Sequence, residues 1–354
     1  MNVILFGGYG TFGALVAREL AKKGIRVAIA GRDHSRAEAL ARALGPEHRG
    51  TRADLQDARS CREALAGHQV AVNCAGPFQN LDATLLDACL DAGCHYVDIA
   101  DDRAYCATVR SYHERFAERR LAAIYGCSSL PAVSGALALL LQKGQSAVPT
   151  RARVTLFIGN NNPKGVAAIR SLVGSLGQPI EAPQGTLHCF RQHEVVRLPP
   201  PFGRRAAWCA SSPEYDLFPA LLGVREVTVN VVFELRVSNW LFAALARLGQ
   251  NFGRRTARLL ELAGGPIRLG TSGGAIMTEL FLEDGTSARV TLLARQNGQH
   301  MAALPCALAV QALCDSTRSA TGAMTAYEFL GAETLIAGLQ QAGYELIRET
   351  EFRN

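Results

Sequence analysis

Asn2-Val3-Ile4-Leu5-Phe6-Gly7-Gly8-Tyr9-Gly10-Thr11-Phe12-Gly13-Ala14-Leu15-Val16-Ala17-Arg18-Glu19-Leu20-Ala21 is an apolar run, a glycine turn and a helical run, in that order. The order decides the fold, because a strand that passes through a glycine turn straight into a helix begins the crossover of a parallel sheet. On this reading Gly8 permits the tight turn, Gly10 lets the backbone approach a pyrophosphate, and Gly13 lets the helix pack against the strand. The N–H groups of the first helical turn then face the phosphates. Gly7, Gly8, Tyr9, Gly10, Thr11, Phe12 and Gly13 are therefore candidate dinucleotide-binding residues, although an isolated glycine pattern can also be a plain turn.

The next apolar run, Ile25-Arg26-Val27-Ala28-Ile29-Ala30, ends in Gly31-Arg32-Asp33. At this strand end an acid usually binds the ribose 2′-hydroxyl of NAD. Gly31 leaves space instead, and the Arg32 guanidinium can fork onto a 2′-phosphate while stacking on adenine. The reading favours NADP over NAD. The alternative makes Arg32 a solvated charge and Asp33 the ribose ligand.

Working outward, Arg36–Leu44 has helical periodicity, and Asp54 follows a third strand where it can accept from the adenine amino group. A fourth strand, Val70-Ala71-Val72-Asn73-Cys74, runs into Ala75-Gly76-Pro77-Phe78, whose small residues let the loop pass the ribose and nicotinamide. Asn73, Ala75, Gly76 and Pro77 join the candidate cofactor residues. Further strands at His95–Ile99 and Leu121–Tyr125 make six, alternating with helices, so residues 1–142 predict a Rossmann doubly wound parallel sheet. Beyond Leu141, Arg153–Ile158 and Val227–Leu235 read as longer strands, and Glu283-Asp284-Gly285-Thr286 between Ile276–Leu282 and Ser287–Ala294 signals a hairpin. Residues 150–303 predict a second, α+β domain with a mixed or antiparallel sheet, for substrate or dimerisation. Residues 304–354, with helices at Cys306–Cys314 and Tyr327–Ala342, are expected to pack back on the first domain.

Composition narrows the class. The 354 residues are 48% hydrophobic and 19% charged, and the net charge of +6 is spread along the chain without a basic tail, which argues against a nucleic-acid partner. The 10 cysteines show neither Cys-x-x-Cys pairs nor zinc spacing with histidine, so they read as small hydrophobes of a reducing compartment, with no metal site. Met1 leads directly into the first strand, and Leu121–Gln142 is broken by Gly126, Ser128, Ser129, Pro131, Ser134 and Gly135. No secretion signal or transmembrane segment is expected, and a cytoplasmic protein is the default.

With these motifs in place the chain resembles the saccharopine dehydrogenase-like NAD(P)-binding oxidoreductase family over most of its length. Gly7–Gly13, Gly31-Arg32, Val72–Phe78, Ala92-Gly93-Cys94-His95-Tyr96-Val97-Asp98-Ile99 and Ser128-Ser129-Leu130-Pro131-Ala132 carry the resemblance, with Gly159–Gly165, Ser212-Pro213-Glu214 and Leu304-Pro305 adding to it. The resemblance implies hydride transfer between NADP and a carbonyl or imine. The substrate residues of saccharopine-forming members find no positional match here, so that activity is not carried over.

Catalytic candidates lie where the fifth and sixth strands end. Asp98 and Asp101 are at the sheet edge where such folds bind ligands, and a partly buried carboxyl there can supply a proton; each can equally cap a helix. His95 and Tyr96 read as packing residues, Tyr96 the better core candidate. Cys127 precedes a helix that Pro131 can start, where a dipole lowers a thiol pKa, so semialdehyde dehydrogenase-like thioester chemistry is the alternative, with His188, His193 or His300 as base. Lys164 and Arg204-Arg205 are candidates for an anionic substrate. Trp240–Leu248, with Phe252 and Arg254-Arg255, reads as an amphipathic basic helix that packs on the second sheet, forms a homodimer contact, lines an apolar pocket or makes peripheral membrane contact. A non-catalytic NADP-binding regulatory protein is the reading from another class.

Overall fold

The computed structural model describes residues 1–163, 165–248, 269–315 and 318–350. Lys164, Phe252, Arg254 and Arg255 lie outside them. The chain begins with β1 (Val3–Phe6), α1 (Thr11–Lys22), β2 (Val27–Gly31), α2 (His34–Leu44), β3 (Arg49–Arg52), α3 (Ala58–Leu65), β4 (Val70–Asn73), α4 (Thr84–Ala92), β5 (His95–Asp98), α5 (Arg103–Ser111), α6 (His113–Glu118) and β6 (Ala122–Tyr125). It continues through α7 (Ser134–Gln142), β7 (Pro149–Ile158), α8 (Val166–Ser175), β8 (Pro179–Ala182), β9 (Gly185–His188), β10 (His193–Leu198), β11 (Gly203–Cys209), α9 (Glu214–Leu222), β12 (Glu226–Phe233) and α10 (Arg236–Arg247). After the described chain resumes come β13 (Gly274–Leu282), β14 (Ser287–Ala294), α11 (Leu304–Cys314), β15 (Gly322–Thr325), α12 (Ala326–Leu330), α13 (Ala332–Gln341) and β16 (Glu345–Thr350).

The chain divides into two compact units, Met1–Ala132 with Ala302–Gly331, and Val133–Met301 with Ala332–Asn354. The first holds a seven-stranded sheet in the order β15-β6-β5-β4-β1-β2-β3, parallel throughout. Every residue of β1, β4 and β6 is buried, as strands covered on both faces must be. Helices start where short acids satisfy their first N–H groups: Asp33 caps α2, Asp57 caps α3 and Asp102 caps α5.

The second unit is built on a mixed sheet in the order β10-β11-β12-β7-β13-β14-β16, in which only β12 and β7 run parallel among the described pairs. Its apolar core on one face includes Phe157, Phe202, Val232, Met277 and Leu293, with the Phe157 and Phe202 rings stacked 4.0 Å apart. Both the Rossmann sheet and the mixed second sheet are those that the strand patterns predict.

The partition differs from the division at 142 and 304. Helix α7 groups with the second unit, and the C-terminal segment is shared. The helix expected over Tyr327–Ala342 is two, α12 and α13, broken at Gly331 with φ 78°, and the units separate there. Only α11, β15 and α12 join the first sheet's unit. Strand β15 was missed because Gly-Ala-Met-Thr has no alternating pattern; its place is decided by pairing with β6.

Candidate dinucleotide site

At the C-terminal end of β1 the left-handed residue is Gly7, φ 71°, and not Gly8. A Cβ on Gly7 would lie 2.7 Å from the Ala75 backbone, so the glycine turn and the loop after β4 touch. Gly8 is a packing position instead, its Cβ 3.0 Å from Leu5 O and 3.1 Å from the Ile29 side chain. Gly10 precedes α1 in extended conformation and donates to Gly7 O at 2.9 Å. Chain neighbours aside, a Cβ there would meet only Gly7 O among the described residues, tightly at 3.0 Å. Gly13 is pressed against Gly7 O and Gly8 Cα, which brings the helix N-terminus onto the turn. The first N–H groups of α1 have no intrahelical acceptor, so the turn suits a pyrophosphate.

At the end of β2 the Tyr9 ring covers Gly31: a Cβ there would collide with Tyr9 Cε1 and lie 2.8 Å from Cζ. Gly31 thus makes room for Tyr9, not for an open cavity. Tyr9 Oη accepts from Asp33 N at 3.1 Å, and the Arg36 guanidinium stands 4.6 Å from the Tyr9 ring centre. Arg32 and Arg36 are exposed, and exposed Arg52 is the β3 register partner of Gly31. Asp33, the alternative ribose ligand, has one carboxylate oxygen engaged in capping, accepting from Arg36 N at 3.1 Å. Arg36 was missed, although Gly31-Arg32-Asp33-x-x-Arg36 puts it on the same helical start. Asp54 turns its Oδ1 onto Gln56 N at 3.1 Å and is half-buried.

Asn73 does not face the cofactor space. It is buried; Nδ2 donates to Tyr96 Oη at 3.2 Å and Tyr105 Oη at 3.1 Å, and Oδ1 accepts from Ala75 N at 3.1 Å. Its side chain ties the loop down, leaving half-exposed Ala75, exposed Gly76 and half-exposed Pro77 at the surface. Tyr96 and Tyr105 share a 2.9 Å hydrogen bond, and burial raises both phenols.

Asp98, register partner of Asn73, is fully buried. Its Oδ1 accepts from Gly126 N at 2.8 Å and Ala100 N at 3.0 Å, while Oδ2 has no hydrogen-bond partner among the described residues. Burial pushes the carboxyl up to about 6, against the pull of those two N–H groups and of the Tyr96 hydroxyl, with the Asp101 charge adding to the rise. Asp101 is exposed.

Cys127 is not an activated thiol. It is fully buried, its Sγ donates to Ile124 O at 3.5 Å, and burial together with the Asp98 charge pushes it well above an ordinary thiol. A π-type helical segment covers Ser129–Val133, with Leu130 non-helical within it, and runs into α7, but the enclosed sulfur stays a thiol beside it. In the second unit His193 stacks on Trp208 at 4.5 Å, and His188 and His300 are half-buried. Buried Glu214 accepts from Ser134 Oγ at 2.5 Å and from Ser212 Oγ. On α10, Asn239, Ala243 and Ala246 face inward, and Val237, Trp240, Leu241 and Leu248 beside it are exposed. No described helix is long and apolar enough to cross a membrane.

A parallel sheet with a glycine turn against a helix N-terminus, and arginines at the end of β2, defines a Rossmann dinucleotide-binding unit. Residues 3–124 match the family model of the saccharopine dehydrogenase NADP binding domain. Residues 3–124 therefore form a domain of the saccharopine dehydrogenase NADP-binding kind, and the cofactor that this domain implies is NADP. Saccharopine dehydrogenase (L-Glu forming) of Saccharomyces cerevisiae shares the fold, with a TM-score of 0.65 over 99% of this chain and 100% of that one at 12% identity. A trans-acting enoyl reductase of Mycobacterium tuberculosis is 31% identical over 132 residues, 36% of this chain and 32% of the relative. One of Mycobacterium ulcerans is 28% identical over 138 residues, 37% and 33% respectively. The match spans about a third of the length of these relatives.

Proposed function

We propose that the protein uses NADP to transfer a hydride to or from a polarised double bond, a carbonyl or imine, of a small or lipid-like substrate. The NADP-binding domain match to residues 3–124 carries the reading. The glycine turn would hold the pyrophosphate, and Arg32 with Arg36 the 2′-phosphate, Tyr9 orienting Arg36. The Ala75-Gly76-Pro77 loop, fixed by Asn73, would border the nicotinamide. NADPH, when bound, supplies the hydride; the chain must supply the proton. Asp98 is our candidate, because Oδ2 is unengaged and a carboxyl near 6 holds its proton at mildly acidic pH. The names of the mycobacterial relatives support a conjugated enoyl bond as a second substrate class.

Substrate-dependent loss of NADPH absorbance across keto-acid/amine pairs, aldehydes and enoyl thioesters tests the reading. With the active class in hand, Asp98→Asn should lower kcat about 100-fold or more at unchanged NADPH affinity. Reduction in the wild type should fall as pH rises through about 6, and the variant should lack that limb. Full turnover in Asp98→Asn removes the proton-donor role; NADPH binding without turnover on any class favours a regulatory protein.

A further inference from the structure

The second unit carries a charge cluster separate from the dinucleotide turn. Arg153, Glu279 and Arg289 stand in one cross-strand row on β7, β13 and β14. Fully buried Glu279 accepts from Arg153 Nε at 2.5 Å and Nη2 at 2.9 Å, and from Arg289 Nε at 2.9 Å and Nη2 at 2.5 Å. Glu194 takes Arg153 Nη1 at 2.6 Å and Arg151 Nη2 at 3.0 Å, and Glu349 takes Arg289 Nη1 at 3.2 Å. Three arginines are thereby matched by three glutamates.

A cavity of about 570 Å³ borders this network, with Arg153, Arg197, Arg204, Arg289 and Glu349 in its wall. Arg197 and Arg204 are not part of the balance. Both are exposed, neither has a hydrogen bond or ion pair among the described residues, and they stand directly opposite each other across β10 and β11. Directly opposed like charges weaken a strand pair, so the arrangement costs stability unless an anion lies between them. The volume is that of a small-ligand site.

We propose that this cavity binds an anionic ligand, a phosphate or a cluster of carboxylates, in the forks of Arg197 and Arg204. Both guanidinia suit bidentate oxyanion contacts, and Arg153 and Arg289, held rigid by Glu279, define the inner wall. The site is independent of the hydride-transfer reading.

The full chain, saturated with NADP⁺ so that the glycine turn is filled, is titrated with inorganic pyrophosphate in one arm and citrate in the other, by calorimetry. Saturable binding in either arm is expected, and the arm that saturates assigns phosphate or carboxylate. Arg197→Ala should weaken it about tenfold or more, Arg204→Glu should abolish it, and NADPH affinity should stay at the wild-type value. Both side chains are exposed and each substitution relieves the cross-strand repulsion, so the variants should melt at or above the wild type without ligand. Should Arg204→Glu fail to fold, Arg204→Lys, which keeps the charge and loses the fork, should still weaken binding. No saturation in either arm, or saturation unchanged in the folded variants, overturns the site.

Discussion

On the proposed reading, Arg32 and Arg36 select the cofactor and Asp98 handles the proton. Arg32→Ala should lower the preference for NADPH over NADH by about 1.5–3 kcal/mol, the scale of a charge-assisted hydrogen bond, and adding Arg36→Ala should lower it further. Fluorescence titration with both nucleotides measures this; a preference retained in the double variant would place the 2′-phosphate elsewhere. For Asp98 the folded-state pKa of about 6 lies above the usual value of about 3.9, so the folded protein binds this proton more tightly than the unfolded chain. Its stabilising contribution is complete below pH of about 4 and is lost as pH rises through about 6. The difference is worth about 3 kcal/mol. Urea unfolding of Asp98→Asn should therefore gain on the wild type by roughly that amount between these limits, whereas parallel pH curves would mean that Asp98 is not protonated in the fold. Asp98 was legible as a residue at a strand end, but its buried oxygen and two N–H partners depend on the loop from β6, which is distant in sequence.

At the scale of elements, the strand, glycine turn and helix form one device. Gly10→Val should leave the first unit folded, at a small cost for the tight 3.0 Å contact with Gly7 O, and abolish NADPH binding, since the rest of the side chain would project at the helix N-terminus. Gly13→Ala should instead destabilise the fold, because its Cβ would overlap Gly7 O. Circular dichroism melts with NADPH titrations separate the two; a Gly10→Val protein that still binds would show that the phosphates lie elsewhere. The sequence reading gives the tight turn to Gly8, but the left-handed residue is Gly7, and only the backbone angle and the closeness of Ala75 tell the two adjacent glycines apart. Asn73 was likewise assigned to the cofactor from its place at a strand end, but Tyr96 and Tyr105 take its side chain. For Cys127 the helical backbone around Pro131 is present, but burial of the sulfur, which the sequence does not reveal, opposes a thiolate.

For the molecule as a whole, the C-terminal segment serves both units. Truncation after Met301 would remove α11, β15 and α12 from the first unit and α13 and β16 from the second, exposing apolar surface on each. Loss of cooperative unfolding and of solubility is expected, by several kcal/mol for α11 alone, which buries Leu304, Val310 and Leu313 among others. A soluble, cooperatively melting truncation would show that the segment is dispensable.

Local order along the chain was enough to establish the α/β class, the glycine turn, the β13–β14 hairpin and the NADP-binding domain, because apolar periodicity and turn chemistry act between residues near in sequence. Tertiary structure alone decided that β15 completes the parallel sheet, that α7 belongs with the second unit, and that the Arg36 guanidinium lies over the Tyr9 ring. It also decided that Asn73 and Cys127 are enclosed and that Asp98 is fully buried against the Gly126 and Ala100 N–H groups. Each of these depends on which distant side chain removes water from a polar group or supplies its hydrogen-bond partner, and burial and pairing are properties of the folded neighbourhood.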